Sequence, residues 1–377
     1  MTSGVRVRAI GFGRQAAPFV DLLWTVYDGD PNWIPMLRRA QMERLDPGKT
    51  PFLRYGEAQL FIAERDGRDI GRISAQINPL HDDKWNESAG FFGHFDCIDD
   101  GEAATALFEA AESWLRERGA RFSRGPFSFT INDESGCLVN GFDTPPMVAM
   151  PHGRTWFPEL IEANGYQKAK DLWAYRYPVD APLGDRRERA WRRIHDHPRV
   201  TVRPFDKRNF QRDVRIAAEI FNEAWVENWG SVPITAEEAD RLAADLAQFA
   251  DPRLTAFVEI DGEAAAMVIS IPNLNECARD IDGRLFPFGW AKVLWRLKRG
   301  PESGRVMLLG VRQKWRTREF AQLGVMLTAE VHVRGAAQGY QWAELGWVLE
   351  DNHLLNHALR RTDAEVYKVY RIFEKTL

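Results

Sequence analysis

The most constraining feature of the sequence is an order of elements that occurs twice. Residues 60–64 and 70–77 are apolar runs joined through Asp66-Gly67, and residues 254–259 and 265–271 are joined in the same way through Asp261-Gly262. Asp-Gly between two such runs selects a tight β-hairpin. The first hairpin is followed by a strand at 90–98, a helix at 103–118, a strand from Phe122, a short helix at 157–164 and a closing strand pair within 166–177. The second is followed by a strand at 305–311, a helix at 320–336, a strand at 340–349, a short helix from Asp351 and a strand at 365–373. A repeat of this kind predicts two α/β units, each a mixed twisted sheet flanked by helices. The expected division is 1–180, a polar connector at 181–204, and 205–377.

Length and composition agree with two folded units. A chain of 377 residues exceeds one ordinary core, and 45% hydrophobic with 28% charged residues is the balance of a globular protein. The net charge of −4, with basic residues dispersed, points away from a nucleic-acid partner. Three cysteines at Cys97, Cys137 and Cys277 have no metal-ligand spacing and leave one unpaired, which suits a reducing cytoplasm. The first residues lack the apolar core of a signal peptide, and no run approaches the ~20 apolar residues of a membrane span. No metal site is expected: His353 and His357 share a helical face but have no third ligand in view.

The second unit contains an anion-binding device. The buried strand 305–311 feeds a cationic turn with Arg312, Lys314, Arg316 and Arg318, and then a helix with Phe320, Leu323, Leu327 and Val331 on one stripe. Free N–H groups and the positive dipole end at a helix start favour phosphate. The first unit has Asp99-Asp100-Gly101-Glu102 at the corresponding place, which caps a helix but repels phosphate. It is therefore expected to be structural or to bind the acceptor.

The stretch Arg316-Thr317-Arg318-Glu319-Phe320-Ala321 resembles motif A of the GNAT superfamily of acyl-CoA N-acyltransferases, with Glu319 where that family has glycine. The resemblance implies two tandem GNAT-like domains, the second binding coenzyme A through Leu309, Gly310, Val311, Arg316, Arg318, Phe320 and Ala321. It further implies direct attack by an amine, with backbone amides near Gly310 and Val311 polarising the thioester carbonyl. If residues 344–350 alternate as a strand, Glu344 and Glu350 share a face, and either carboxylate is a candidate base. Asn352 stands where GNAT enzymes carry an asparagine that bonds the pantetheine arm. The tyrosine that serves as acid in the family is replaced by Leu359, leaving Tyr367 and Tyr370 as candidates.

A narrower resemblance rests on Asp30-Pro31-Asn32-Trp33-Ile34-Pro35, Gly90-Phe91-Phe92-Gly93, Asn132-Asp133-Glu134, Asn228-Trp229-Gly230 and Glu350-Asp351-Asn352. These runs are similar to the GNAT-type family that includes the bacterial ceramide synthases. The family implies an acyl-CoA donor and a long-chain amine acceptor. Asn132, Asp133, Asn222, Trp225, Trp229, Phe288 and Trp290 are the candidate acceptor residues. In the segment 283–299, apolar Trp290, Val293, Leu294 and Leu297 alternate with Lys292, Arg296 and Arg299, the pattern of a helix that rests on an anionic membrane surface. The expected location is the cytoplasm, with peripheral contact at the inner membrane face. A small-molecule acetyltransferase, a Fem-type aminoacyl transferase and an acyl-CoA-binding protein without turnover are the alternatives.

Overall fold

The computed structural model of the chain describes residues 4–249 and 251–377. Met1, Thr2 and Ser3, part of the stretch read for a signal peptide, lie outside the described residues. The strands in chain order are β1 (Arg6–Ile10), β2 (Glu57–Arg65), β3 (Arg68–Ile77), β4 (Ala89–Cys97), β5 (Phe122–Gly125), β6 (Cys137–Asn140), β7 (Gln167–Pro178), β8 (Val200–Arg203), β9 (Thr255–Ile260), β10 (Glu263–Pro272), β11 (Ser303–Val311), β12 (Trp342–Leu349) and β13 (Glu365–Thr376). They form one sheet in the order β1-β2-β3-β4-β5-β13-β7-β12-β11-β10-β9-β8, with β6 also on β13.

This order is a pseudo-twofold arrangement with an exchange at its centre. β1 to β5 are matched by β8 to β12, but the strand after β5 is β13 and the strand after β12 is β7. Each of the ranges 1–180 and 205–377 thus contributes its last strand to the other's part of the sheet. The central antiparallel pair β7–β13 runs from Glu365↔Arg176 to Glu374↔Gln167. The two strands expected within 166–177 are a single long strand, because both edges of β7 find partners along most of its length.

Local chemistry accounts for the elements. Both hairpin turns place Asp and Gly at positive φ, 52° and 75° at Asp66-Gly67 and 53° and 81° at Asp261-Gly262, as the favoured two-residue turn requires. The helix Gly101–Arg116 is capped by the Asp100 carboxylate, which accepts from Ala103 N at 3.0 Å. It buries Ala104, Leu107, Ala111 and Leu115 completely against the sheet. The helix Ala236–Phe249 opens on a reciprocal capping box, Glu238 N to Thr235 Oγ1 at 3.2 Å and Thr235 N to Glu238 Oε2 at 2.8 Å. The helix after β11 begins at Leu323, not Phe320, because the Phe320 ring is buried in the core against His197 and Trp315 and anchors the preceding turn. The connector carries the helix Asp185–His195, which packs on the Leu323–Ala337 helix through Glu330, bonded to Trp191 at 2.6 Å and His195 at 2.9 Å.

Candidate active site

Two forks in the sheet create the site. β4 and β5 are parallel and paired only from Ala89↔Phe122 to Phe91↔Arg124. β11 and β12 are parallel and paired only from Ser303↔Trp342 to Val306↔Leu345. Beyond these points the strands part. A bulge accompanies each fork: His94 and Phe95 together oppose one residue of β3, and Met307 is the extra residue of β11. Bulges twist a strand and redirect its side chains. A third bulge, at Gly346 and Trp347 of β12, breaks the pairing with β7.

Both forks open into one cavity of about 700 Å³. Met307, Leu308 and Trp347 line it from the second fork, and His94, Phe95 and Phe129 from the first. Its remaining wall is largely apolar and includes Trp33, Leu37, Ile281, Val293 and Leu297. Several of its polar groups are paired with one another. Arg72 holds Asp96 at 2.7 Å, and Arg44 holds Glu134 at 2.7 Å. Asp133 accepts from the Thr130 hydroxyl at 3.0 Å and Thr130 N at 3.2 Å. It lines the cavity, and burial pushes its carboxyl up to about 6 despite the nearby Arg44 charge.

Of the acceptor candidates, Asn132, Asp133, Trp225 and Trp229 line this cavity. Asn222 does not; its amide clamps the 228–235 loop, bonding Ile234 N at 2.8 Å and Ile234 O at 3.0 Å. Phe288 and Trp290 are 74% and 48% exposed at the start of the helix Gly289–Arg299, whose Val293 and Leu297 face inward.

The donor candidates cluster at the end of β11 and in the turn after it. A Cβ on Gly310 would lie 3.1 Å from Ile220 and 3.3 Å from Ala224, so the glycine admits the Phe210–Ala224 helix close to the strand. Leu309 O receives the Trp225 indole N–H at 3.5 Å, and Arg316 ties Val311 O at 3.1 Å to Ala224 O at 3.2 Å. Arg318 and Ala321 are exposed on the turn and Phe320 is buried beneath it. None of the seven lines the cavity itself; their neighbours Met307 and Leu308 do. Glu319 is drawn aside by Arg199 at 3.1 Å and His197 at 3.4 Å. The turn is therefore not plugged by its carboxylate.

The two candidate bases do not share a face. The bulge at Gly346 and Trp347 interrupts the alternation that would align Glu344 with Glu350. Glu344 is fully buried, receives the Tyr367 hydroxyl, and lies 3.1 Å from Arg305 Nε, off the hydrogen-bond line. Burial pushes its carboxyl up against the pull of Arg305 and Tyr367, and burial with the Glu344 charge raises the Tyr367 phenol. Arg305 in turn bonds Val148 O at 3.0 Å and Ala149 O at 2.8 Å, fixing a loop on the cavity wall. Glu350 accepts from Asp171 N at 3.0 Å and Lys168 at 2.6 Å, away from the cavity. Asn352 caps the helix His353–Arg360, accepting from Leu355 N at 3.2 Å. His94 and the Arg72–Asp96 pair are cavity groups that the sequence reading passed over; a histidine inside the apolar run of β4 was the available signal.

Among the described residues there is no cluster of metal-ligating side chains, and no helix is long and apolar enough to cross a membrane. No family model matches the chain. In fold it is similar to a tandem GNAT protein from the clavulanic acid biosynthesis pathway, with a TM-score of 0.58, 11% identity, and 99% of this chain and 98% of that one covered. The forked sheet repeated in two halves is thus the tandem GNAT architecture. In sequence the chain is 42% identical over 353 residues to the bacterial ceramide synthase of Caulobacter vibrioides (strain NA1000 / CB15N), covering 92% of this chain and 91% of that protein. It is 39% identical over 367 residues to protein YghO of Escherichia coli (strain K12), covering 95% and 92%. The chain belongs to the bacterial ceramide synthase family, GNAT-type N-acyltransferases.

Proposed function

We propose that the chain moves a long-chain acyl group from acyl-CoA to the amine of a sphingoid base. The observation that carries this reading is the largely apolar cavity of about 700 Å³ shared by both forks, a volume within the ordinary range of small-molecule sites. The acyl thioester sits in the β11–β12 fork, with the carbonyl near the backbone of Met307 to Val311. The diphosphate lies along the turn that carries Arg316 and Arg318. Arg318 is exposed and has no partner among the described residues, whereas Arg312 is committed to Glu219 at 2.9 Å and Glu223 at 3.0 Å. Asp133 and Asn132 receive the polar head of the acceptor, an ammonium matched by a carboxylate. Trp225 and Trp229 form walls. Glu344 supports the reaction indirectly, by holding Arg305 and through it the 148–149 loop.

The outer face of the Gly289–Arg299 helix serves as the lipid contact. Phe286, Phe288, Trp290, Leu294 and Trp295 are exposed, and Leu285, Val293 and Leu297 of the same segment line the cavity. A long-chain amine then passes from the membrane surface into the cavity without crossing water. Incubation with a long-chain acyl-CoA and sphinganine or 3-oxosphinganine, read by mass spectrometry, should give the amide and free CoA. Amide formation confined to short acyl donors and soluble amines refutes the reading.

A further inference from the structure

A long acyl group has to extend well beyond the fork that holds its thioester, and the cavity sets its path. Between the two forks the lining comes from the first half of the chain. Cys137 and Leu138 belong to β6, which pairs with the central strand β13, and Val148, Met150 and Pro151 belong to the loop that follows. That loop is anchored at both forks. Arg305 of β11 holds Val148 O at 3.0 Å and Ala149 O at 2.8 Å. The Tyr27 hydroxyl, which bonds Asp96 of β4 at 2.7 Å, contacts His152 O at 3.1 Å. The lining that joins the forks is thus apolar and tied to both.

The first fork closes this path with a row of rings. Phe129 stacks on Phe52 at 5.2 Å and tilts against His94 at 4.9 Å, and all three line the cavity. His94 brings no charge to the row: burial first, then Arg72 and Arg44, hold its pKa well below the ordinary histidine value. Arg72 and Asp96 line the same end and satisfy each other at 2.7 Å, so an apolar chain gains little by covering them. In the order β4-β5-β13-β7-β12-β11 the two forks lie four inter-strand steps apart. Strands are spaced about 4.8 Å, which makes the path along the sheet about 19 Å. A carbon chain with bonds of about 1.5 Å and angles of about 111° advances about 1.25 Å per bond. About fifteen bonds, an acyl group of about 16 carbons, therefore span the distance.

We infer that the donor's acyl chain runs from the β11–β12 fork across the centre of the sheet to the ring row at the β4–β5 fork, so that the first half of the chain gauges acyl length. The inference deepens the acyl-transfer reading and rests on it. A chain of matching length covers the apolar lining and ends against the rings. A shorter chain leaves lining uncovered, and each methylene left unburied weakens binding by up to about fourfold. A much longer chain has to displace packed rings. Phe129, 3% exposed and in contact with both other rings, is the residue that sets the limit. The acceptor's own chain stays beside the Gly289–Arg299 helix, whose Val293 and Leu297 line the cavity.

The experiment combines a measurement on the native protein with a variant. Hexadecanoyl-CoA carrying a diazirine at the far end of its chain, irradiated with the native protein in the absence of amine, should label the peptides that contain His94 or Phe129. Labelling that misses both peptides overturns the assignment, whether or not any variant folds. With sphinganine as acceptor, native kcat/KM across a series of saturated acyl-CoA donors should peak at about 16 carbons. Phe129→Ala should move the peak to chains longer by about two to four carbons, the width of the ring removed. A folded variant with the native length profile overturns the gauge. A native protein that forms no amide from any acyl-CoA refutes acyl transfer itself; amide formation with an unchanged length profile refutes only the gauge.

Discussion

Replacing Phe286 and Phe288 together by serine tests the lipid-facing surface where its energy is concentrated. The two side chains are 83% and 74% exposed, so they contribute little to the folded core and their loss should leave Tm nearly unchanged. On a membrane their burial is the main attraction. Full burial of a phenylalanine is worth about 1.5–3 kcal/mol. Scaled by their exposure, and allowing for incomplete insertion, the pair supplies about 2–4 kcal/mol, or roughly 30- to 700-fold in partition coefficient. The basic residues add less than their number suggests. Lys292 and Arg296 are both engaged by Asp280, at 3.3 Å and 2.5 Å, and Arg299 lies over the Trp295 ring at 4.7 Å. Binding should therefore survive moderate salt better than a purely electrostatic contact. Co-sedimentation with sucrose-loaded phosphatidylglycerol vesicles, native against the double variant, reads the change directly. Equal partitioning of the two proteins refutes the assignment of this face, and so does binding that salt abolishes completely.

Three further outcomes follow from the site and its supports. Asp133→Asn should raise KM for the amine while leaving KM for acyl-CoA unchanged. In the native protein KM for the amine should fall as pH rises through about 6, where the Asp133 carboxylate ionises. The variant should lack that dependence, and initial rates across pH 5–8 would reveal it. Arg199→Ala should weaken acyl-CoA binding several-fold by releasing Glu319 towards the phosphate turn, and Glu319→Gln in the same chain should restore it; titration calorimetry with CoA measures both. Asp213→Ala should destabilise the fold by about 1.5–3 kcal/mol at pH 7, because the fully buried carboxylate pairs with Arg203 at 2.7 Å and Arg212 at 2.9 Å, arginines that keep solvent access when it is lost. Burial alone would raise the Asp213 carboxyl, but hydrogen bonds from Arg203, Asp206 N and Arg212 depress it below its ordinary value of 3.8. The depressed pKa means that its stabilisation is present at neutral pH and lost as pH falls through that value. Denaturant melts should show the gap between the two proteins closing only below about pH 4.

The element order was legible because its causes are local. Asp66-Gly67 and Asp261-Gly262 force their turns, and the Ala104–Leu107–Ala111–Leu115 stripe identifies a helix face without reference to the rest of the chain. The exchange of β7 and β13 was not legible. Each strand satisfies the same pattern, and which edge it joins depends on residues nearly 200 positions away. The bulges were equally hidden. A period of two projects Glu344 and Glu350 to one face, but the extra residue at Gly346 and Trp347 resets the count, leaving Glu344 in the core and Glu350 beside Lys168. The same kind of irregularity at His94 and Phe95 delivers an imidazole to a cavity that sequence spacing gave no reason to expect.

The exchange at the centre of the sheet has a consequence for how the protein is made. β13 is the last of the described strands to leave the ribosome, yet it fills the slot between β5 and β7. Until then β5 exposes a bare edge. A chain cut between the halves would leave β5 without its β13 neighbour and β12 without its β7 neighbour, so the cut removes sheet pairing from both.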